Sequence, residues 1–274
     1  MRALNGRGRA AAAFAFALVA AWLPWSRATA AERLHCTVVS DAETGTVIHR
    51  EGVCDRRFFP MSTFKVPLAL MGYDAGILTD EHNPAWPKPA DKQNARGPAV
   101  VDPTIWEKQS IVWYSQELTR RLGEKRFAGY VNALDYGNKD VSGDPGKSNG
   151  LTDAWLMSSL AISPDEQVRL LRRLLKRELP VSAQAISKTM AIIPRFPAGD
   201  WAVHGKTGSG WLKTTAGATD KNRPLGWFVG WAEKAGRRIV FARVEVGMQP
   251  QSKPMSFLVR DSLLKDLPAL LEGH

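Results

Sequence analysis

The chain has 274 residues, 44% of them hydrophobic, with 23 Gly and 17 Pro. That is enough to bury a full core, and it excludes a disordered or repeat chain. Its formal charge of +10 is scattered among acids, as at Arg172-Arg173 and Lys176-Arg177. Without an aromatic platform alongside, that pattern argues against a nucleic-acid surface and reads as a solvated helix face.

The first thirty residues stand apart. Arg2, Arg7 and Arg9 form a cationic start, Ala10 to Leu23 an apolar stretch, and Ala28-Thr29-Ala30 a small-residue cleavage signature. This is the layout of a signal peptide (1–30) cut after Ala30, with an uncleaved anchor as the competing reading. Its removal takes away four arginines, Arg27 included, and lowers the net charge to +6. The mature part, 31–274, reads as one domain with no further membrane contact. Export predicts an oxidising compartment, a bacterial periplasm, which bears on the two cysteines, Cys36 and Cys54. They flank a predicted hairpin, His35 to Ser40 and Thr46 to Arg50 around Glu43-Thr44-Gly45. A disulfide and two unpaired buried thiols both stay open; a metal or catalytic role is not expected of them.

Pro60 leads into a helix-length run, Ser62 to Ala75, that stops at Gly76. The connection holding Pro84, Pro87, Pro89, Pro98 and Pro103 should wrap the surface without regular structure. Ser110 to Leu134 reads as one or two helices broken near Gly123, and Asn138 to Thr152 as a loop ending in Ala154-Trp155-Leu156-Met157. Ser163-Pro164-Asp165-Glu166 opens a helix to Arg177 with Glu166 in a capping box, which makes that acid a cap and not a catalyst. A helix over Ser182 to Ile192 gives way to strands over Val203–Thr207, Trp211–Thr215, Leu225–Ala232 and Arg238–Val246, the last two joined by Lys234-Ala235-Gly236-Arg237. Pro254 to Leu271 closes the chain as an amphipathic helix. The order predicts an α/β chain of the α+β type: a mainly antiparallel sheet from about 31–80 and 195–274, flanked by helices, with an inserted helical part from about 81–194.

A serine becomes a nucleophile when a neighbour takes its proton, and a lysine three residues on along a helix lies within reach. Ser62 and Lys65 have that spacing. At a helix start the Ser62 amide is free to donate to an oxyanion. Alone the motif occurs about once by chance in a chain of this length, and Ser262-Leu263-Leu264-Lys265 repeats it inside a helix, where it reads as a helix surface.

The weight comes from company in a fixed order: Ser110-Ile111-Val112, Tyr136-Gly137-Asn138, Lys206-Thr207-Gly208 and Gly226-Trp227-Phe228-Val229-Gly230-Trp231. With these the chain resembles the class D serine β-lactamases, the oxacillinases, over most of its mature length. Relatives sharing Ser-x-x-Lys and Lys-Thr-Gly usually carry Ser-x-Asn second, whereas Val112 here sets an apolar side chain over the lysine. The resemblance implies the fold of penicillin-recognising serine enzymes and hydrolysis of β-lactam antibiotics through an acyl-Ser62 intermediate. It implies Lys65 as an N-carboxylated lysine, the carbamate being the general base, with Trp155 donating to it and no cofactor beyond that CO2, and no metal. An apolar cover over Lys65 favours the neutral amine that CO2 requires.

Residue by residue, the resemblance makes Ser110 the proton relay to the leaving nitrogen and Lys206 the source of positive potential. The amides of Ser62 and Ser209 become the oxyanion hole, and Thr207, Gly208 and Arg260 the binders of the substrate carboxylate. Tyr136 and Asn138 read as structural, and Trp227 and Trp231, four apart on a strand, as packing. Ser209 departs from the aromatic residue of many members, and Asp144 to Asn149 lengthens the loop before Trp155. Two other readings share the nucleophile: a penicillin-binding transpeptidase or carboxypeptidase, and a penicillin sensor that does not turn over. The preferred β-lactam and the oligomeric state are open at this level.

Overall fold

The computed structural model describes residues 34–272; the leader and its cleavage site lie outside them. In chain order the elements are β1 His35–Asp41, β2 Val47–Gly52, α1 Lys65–Asp74, β3 Trp86–Pro87, β4 Val100–Val101, α2 Pro103–Gln109, α3 Val112–Ala133, α4 Gly150–Asp153, α5 Pro164–Leu175, α6 Ala183–Ile192, β5 Arg195–Ala198, β6 Trp201–Lys213, β7 Thr219–Lys234, β8 Arg237–Val246 and α7 Met255–Leu270. Six strands form one antiparallel sheet in the order β2-β1-β8-β7-β6-β5.

The sheet is covered on both faces, and its sequence shows why. On β7 and β8, Trp227, Val229, Trp231, Val240, Ala242 and Val244 join a core with the helices α1, α3, α5 and α6. The intervening Phe228, Ala232, Ile239 and Phe241 pack with Val259, Leu263 and Leu267 of α7. Side chains alternate across a strand, so central strands buried on both faces read as nearly unbroken apolar runs. Cys36 and Cys54 are bonded, with a Cα separation of 5.1 Å, which settles the choice left open by their spacing.

Local signals predicted in the sequence recur in detail. Ser163 Oγ accepts from the Glu166 amide and Glu166 answers from the Ser163 amide, the reciprocal box that starts α5. α3 breaks at Gly123, whose φ is 75°. Ser262, the second serine with a lysine three residues on, lies within α7, where its Oγ accepts from Arg243.

Two expectations fail, and one element was not foreseen. The Pro-rich connection is not structureless: Trp86–Pro87 pairs with Val100–Val101, and α2 follows at once, capped by Asp102 accepting from the Ile105 amide at 2.7 Å with Pro103 at its first position. Asp-Pro was the overlooked start signal. Val203–Thr207 and the first three residues of Trp211–Thr215 belong to a single strand, β6, because Gly208 and Gly210 between them do not turn the chain but lie against the Ser62 turn; Thr214 and Thr215 fall beyond the strand. β5 was not anticipated; its Pro197 suits an edge strand.

Candidate active site

Ser62 lies in a turn of 3-10 helix, 61–64, that runs straight into α1. The turn is held from several directions. Met61 adopts φ 52°, a left-handed conformation that costs about 1–3 kcal/mol in a residue other than glycine. Its amide donates to the Trp155 carbonyl at 3.1 Å. Thr63 Oγ1 donates to the Pro60 carbonyl at 2.6 Å and accepts from Gln167 Nε2 of α5 at 3.0 Å. Trp227 Nε1 of β7 donates to the Phe59 carbonyl at 3.0 Å, so this tryptophan, expected only to pack, also fixes the chain leading to the serine. On β6 a Cβ at position 208 would come within 2.9 Å of the Pro60 carbonyl and 3.2 Å of the Ser62 nitrogen. The strand carrying Lys206-Thr207-Gly208 therefore presses its backbone against the Ser62 amide.

Behind Ser62 three ionisable groups are almost wholly enclosed: Lys65, Glu107 and Lys206. Lys65 Nζ has no hydrogen-bond partner and lies 6.0 Å from the centre of the Trp106 ring. Burial, helped by the nearby Lys206 charge and opposed by Glu107, brings its pKa down to about 7. Lys206 is lowered by burial to about 8, with Glu107 opposing. Its Nζ donates to Ser110 Oγ at 2.7 Å and to the Thr207 carbonyl at 3.1 Å. Ser110 ends α2 with φ 60°, which turns it out of the helix toward that lysine. Glu107, one turn earlier, has neither oxygen hydrogen-bonded, and burial raises its carboxyl to about 7 against the pull of both lysines.

A cleft of about 440 Å³ is lined by Ser62, Ser110, Val112, Thr207 and Ser209, with Arg96 and Lys108 on its wall. Val112, expected as a cover over Lys65, lines this cleft with 38% of its surface exposed. Trp155 is buried and stacks on Phe64, the neighbour of Lys65, with ring centres 5.4 Å apart. Ser209 Oγ donates to Ser256 Oγ at 2.7 Å and accepts from the Ser256 amide, tying β6 to the start of α7.

Arg260 lies beside the cleft, in a cavity that shares Lys108, Thr207 and Phe257 with it. It pairs with Asp261 at 2.7 Å, lies over the Phe196 and Phe257 rings, and lines a neighbouring cavity of about 410 Å³ with Glu107 and Lys206. Tyr136 is buried, its ring 5.2 Å from Phe64, and Asn138 bonds back to the 159–161 segment. A larger depression of about 510 Å³ near Asp200, Trp201 and Lys234 has no serine or cysteine on its walls. Among the described residues no group of three or more His, Cys, Asp or Glu could hold a metal ion, and no helix is long and apolar enough to cross a membrane.

Sequence reasoning missed Glu107, Arg96, Lys108 and Ser256. For Glu107 a signal existed, since it stands four residues after Pro103 and beside Trp106, on the buried side of α2. The other three reach the cleft only through tertiary folding.

Comparison with known proteins agrees with this geometry. The model of the penicillin binding protein transpeptidase domain matches residues 35–267. The chain is 48% identical over 263 residues to β-lactamase OXA-9 of Klebsiella pneumoniae, covering 92% of this chain and 94% of that one. It is 37% identical to β-lactamase OXA-1 of Escherichia coli, over 77% and 76% of the two chains. The crystal structure of the OXA-427 class D β-lactamase superposes with a TM-score of 0.81 at 43% identity, covering 87% of this chain and 98% of that one. A buried amine beside the serine, a second serine bonded to a second lysine, and likeness running through both halves of the sheet lead to one assignment: the chain belongs to the class D serine β-lactamases.

Proposed function

We propose that the chain hydrolyses β-lactam antibiotics through an acyl-Ser62 intermediate, with Lys65 carboxylated at Nζ as the general base. The observation that carries the base is the Lys65 amine itself: enclosed, without a hydrogen-bond partner, and lowered to a pKa of about 7. Such an amine is substantially neutral at neutral pH and can take up CO2, forming an N–C bond and releasing a proton. Carboxylated Lys65 then accepts the Ser62 proton during acylation and a water proton during deacylation. Trp155 supports the modified side chain from the Phe64 side.

The remaining roles follow from position. Ser110, bonded to Lys206, returns a proton to the leaving lactam nitrogen, and Lys206 favours the negative charge that develops there. The amides of Ser62 and Ser209 receive the oxyanion, and Thr207 and Gly208 form the strand edge along which the substrate lies. We also place the mature protein, 31–274, in the periplasm after cleavage of a signal peptide, where the Cys36–Cys54 bond persists. The benefit to the bearer is antibiotic resistance.

Mass spectrometry after a pulse of benzylpenicillin tests the reading. A penicilloyl adduct on Ser62 that vanishes within minutes, with turnover raised by added bicarbonate, is expected. An adduct lasting for hours would instead identify a transpeptidase or a sensor, and turnover indifferent to bicarbonate would sink the carbamate.

A further inference from the structure

Glu107 has no part in the hydrolysis proposed for Ser62, yet its side chain is fully enclosed, 0% exposed, with neither carboxylate oxygen hydrogen-bonded. A carboxylate taken out of water without donors is costly unless a cation lies close enough to offset the loss. Two observations name that cation. Glu107 stands one turn before Ser110 on α2, a spacing that puts both on one side of the chain, and Ser110 Oγ accepts from Lys206 Nζ at 2.7 Å. Glu107 and Lys206 also line the same cavity of about 410 Å³, in which Glu107 is the one acid.

The charged and titratable groups around this cluster come from several elements. From α1 come Lys65 and Tyr73. The Tyr73 hydroxyl donates to the Asp80 carbonyl at 3.1 Å, and burial, with Glu107 adding to it, raises the phenol above its ordinary range. The loop between β3 and β4 brings Arg96, whose charge disfavours the ammonium form of both lysines. The cavity wall adds Lys108 of α2, Arg195 of β5 and Arg260 of α7, while α6 contributes the apolar Ala191 and Ile192. For Lys206, then, burial and Arg96 favour the neutral amine, and Glu107 is the group that favours the ammonium. The pull is mutual, and Lys206 acts on Glu107 more strongly than Lys65 does.

We propose that Glu107 is a positioning residue for the proton relay, its enclosed carboxylate being the counter-ion that keeps Lys206 an ammonium. An ammonium donates to Ser110 Oγ, which leaves the serine's own proton free for the leaving lactam nitrogen. A neutral Lys206 could instead accept that proton and turn it away from the substrate. The proposal rests on the assignment of Ser110 and Lys206 as the relay.

The second-order rate of Ser62 acylation by a fluorescent penicillin, followed from pH 5.5 to 9.5 with added bicarbonate, tests it. Neutral Lys65 sets the acid limb of this profile and cationic Lys206 the alkaline limb. Glu107→Gln, equal in size and uncharged, should move the alkaline limb down by about one pH unit, roughly a fivefold loss at pH 8. The acid limb should not rise, because Lys65 also loses a charge that favours its ammonium. Glu107→Asp keeps the carboxylate and should keep the alkaline limb. Glu107→Met, which encloses no polar group, should match Glu107→Gln and stands in for it if the amide disturbs folding. An alkaline limb unmoved in the uncharged variants, or one that falls as far in Glu107→Asp, would overturn the proposal. So would a loss of the same size at every pH, the mark of a purely structural role. Acylation that follows these profiles without turnover would count against the β-lactamase reading and leave the counter-ion in place.

Discussion

Lowering the pH should switch this protein off through Lys65. A lysine whose pKa is about 7 is half neutral at pH 7, and by pH 5.5 the neutral fraction drops to about 3%, roughly a fifteenfold loss. Forming the carbamate also releases a proton, so mass action steepens the fall at fixed CO2. The sign follows from burial: the charged form is disfavoured inside, so the base is available above the lowered pKa and lost below it. The assay is the initial rate of benzylpenicillin hydrolysis from pH 5.5 to 8.5, in degassed buffer and with added bicarbonate. Activity in degassed buffer should fall at least tenfold between pH 7 and 5.5 and be partly restored by bicarbonate. A rate that is flat over this range, with no response to bicarbonate, would refute both the neutral lysine and its carboxylation.

Two further outcomes follow from the geometry. Gly208→Ala places a Cβ within 2.9 Å of the Pro60 carbonyl, and the displaced Ser62 turn should lower the acylation rate by about ten- to a hundredfold, read by stopped-flow with nitrocefin; an unchanged rate would show that the strand does not position the serine. Replacing Cys36 and Cys54 by serine opens a link between residues 18 apart, and urea denaturation should register a loss of about 3 kcal/mol.

Much of this architecture was legible in the chain because the signals are local. The capping box at Ser163 and Glu166, the break at Gly123 and the apolar runs of β7 and β8 each depend on residues within a few positions of one another. The pairing of Ser110 with Lys206 was legible for another reason, the resemblance of ordered motifs. What escaped is long-range. The expected route of the Pro-rich segment failed because Val100 and Val101 find their partners at Pro87 and Trp86 only when the chain returns. Arg260 takes Phe257 and Asp261 from its own helix as neighbours, but its contact with Phe196 of β5 could not be read from spacing. Glu107 carried a local signal in its place beside Trp106 on α2, but its enclosure with two lysines is a product of the fold.

The turn that carries Ser62 is secured by contacts from far along the chain: Gln167 reaches Thr63 across 104 positions and Trp227 reaches Phe59 across 168. Contacts of such separation form late, since long loops must close before they are rewarded. The serine should therefore be chemically silent in a nascent or partly folded chain, and its reactivity should appear abruptly at the end of folding. A fluorescent penicillin added during refolding would then act as a clock for completion, labelling only molecules in which the sheet and helices have already met.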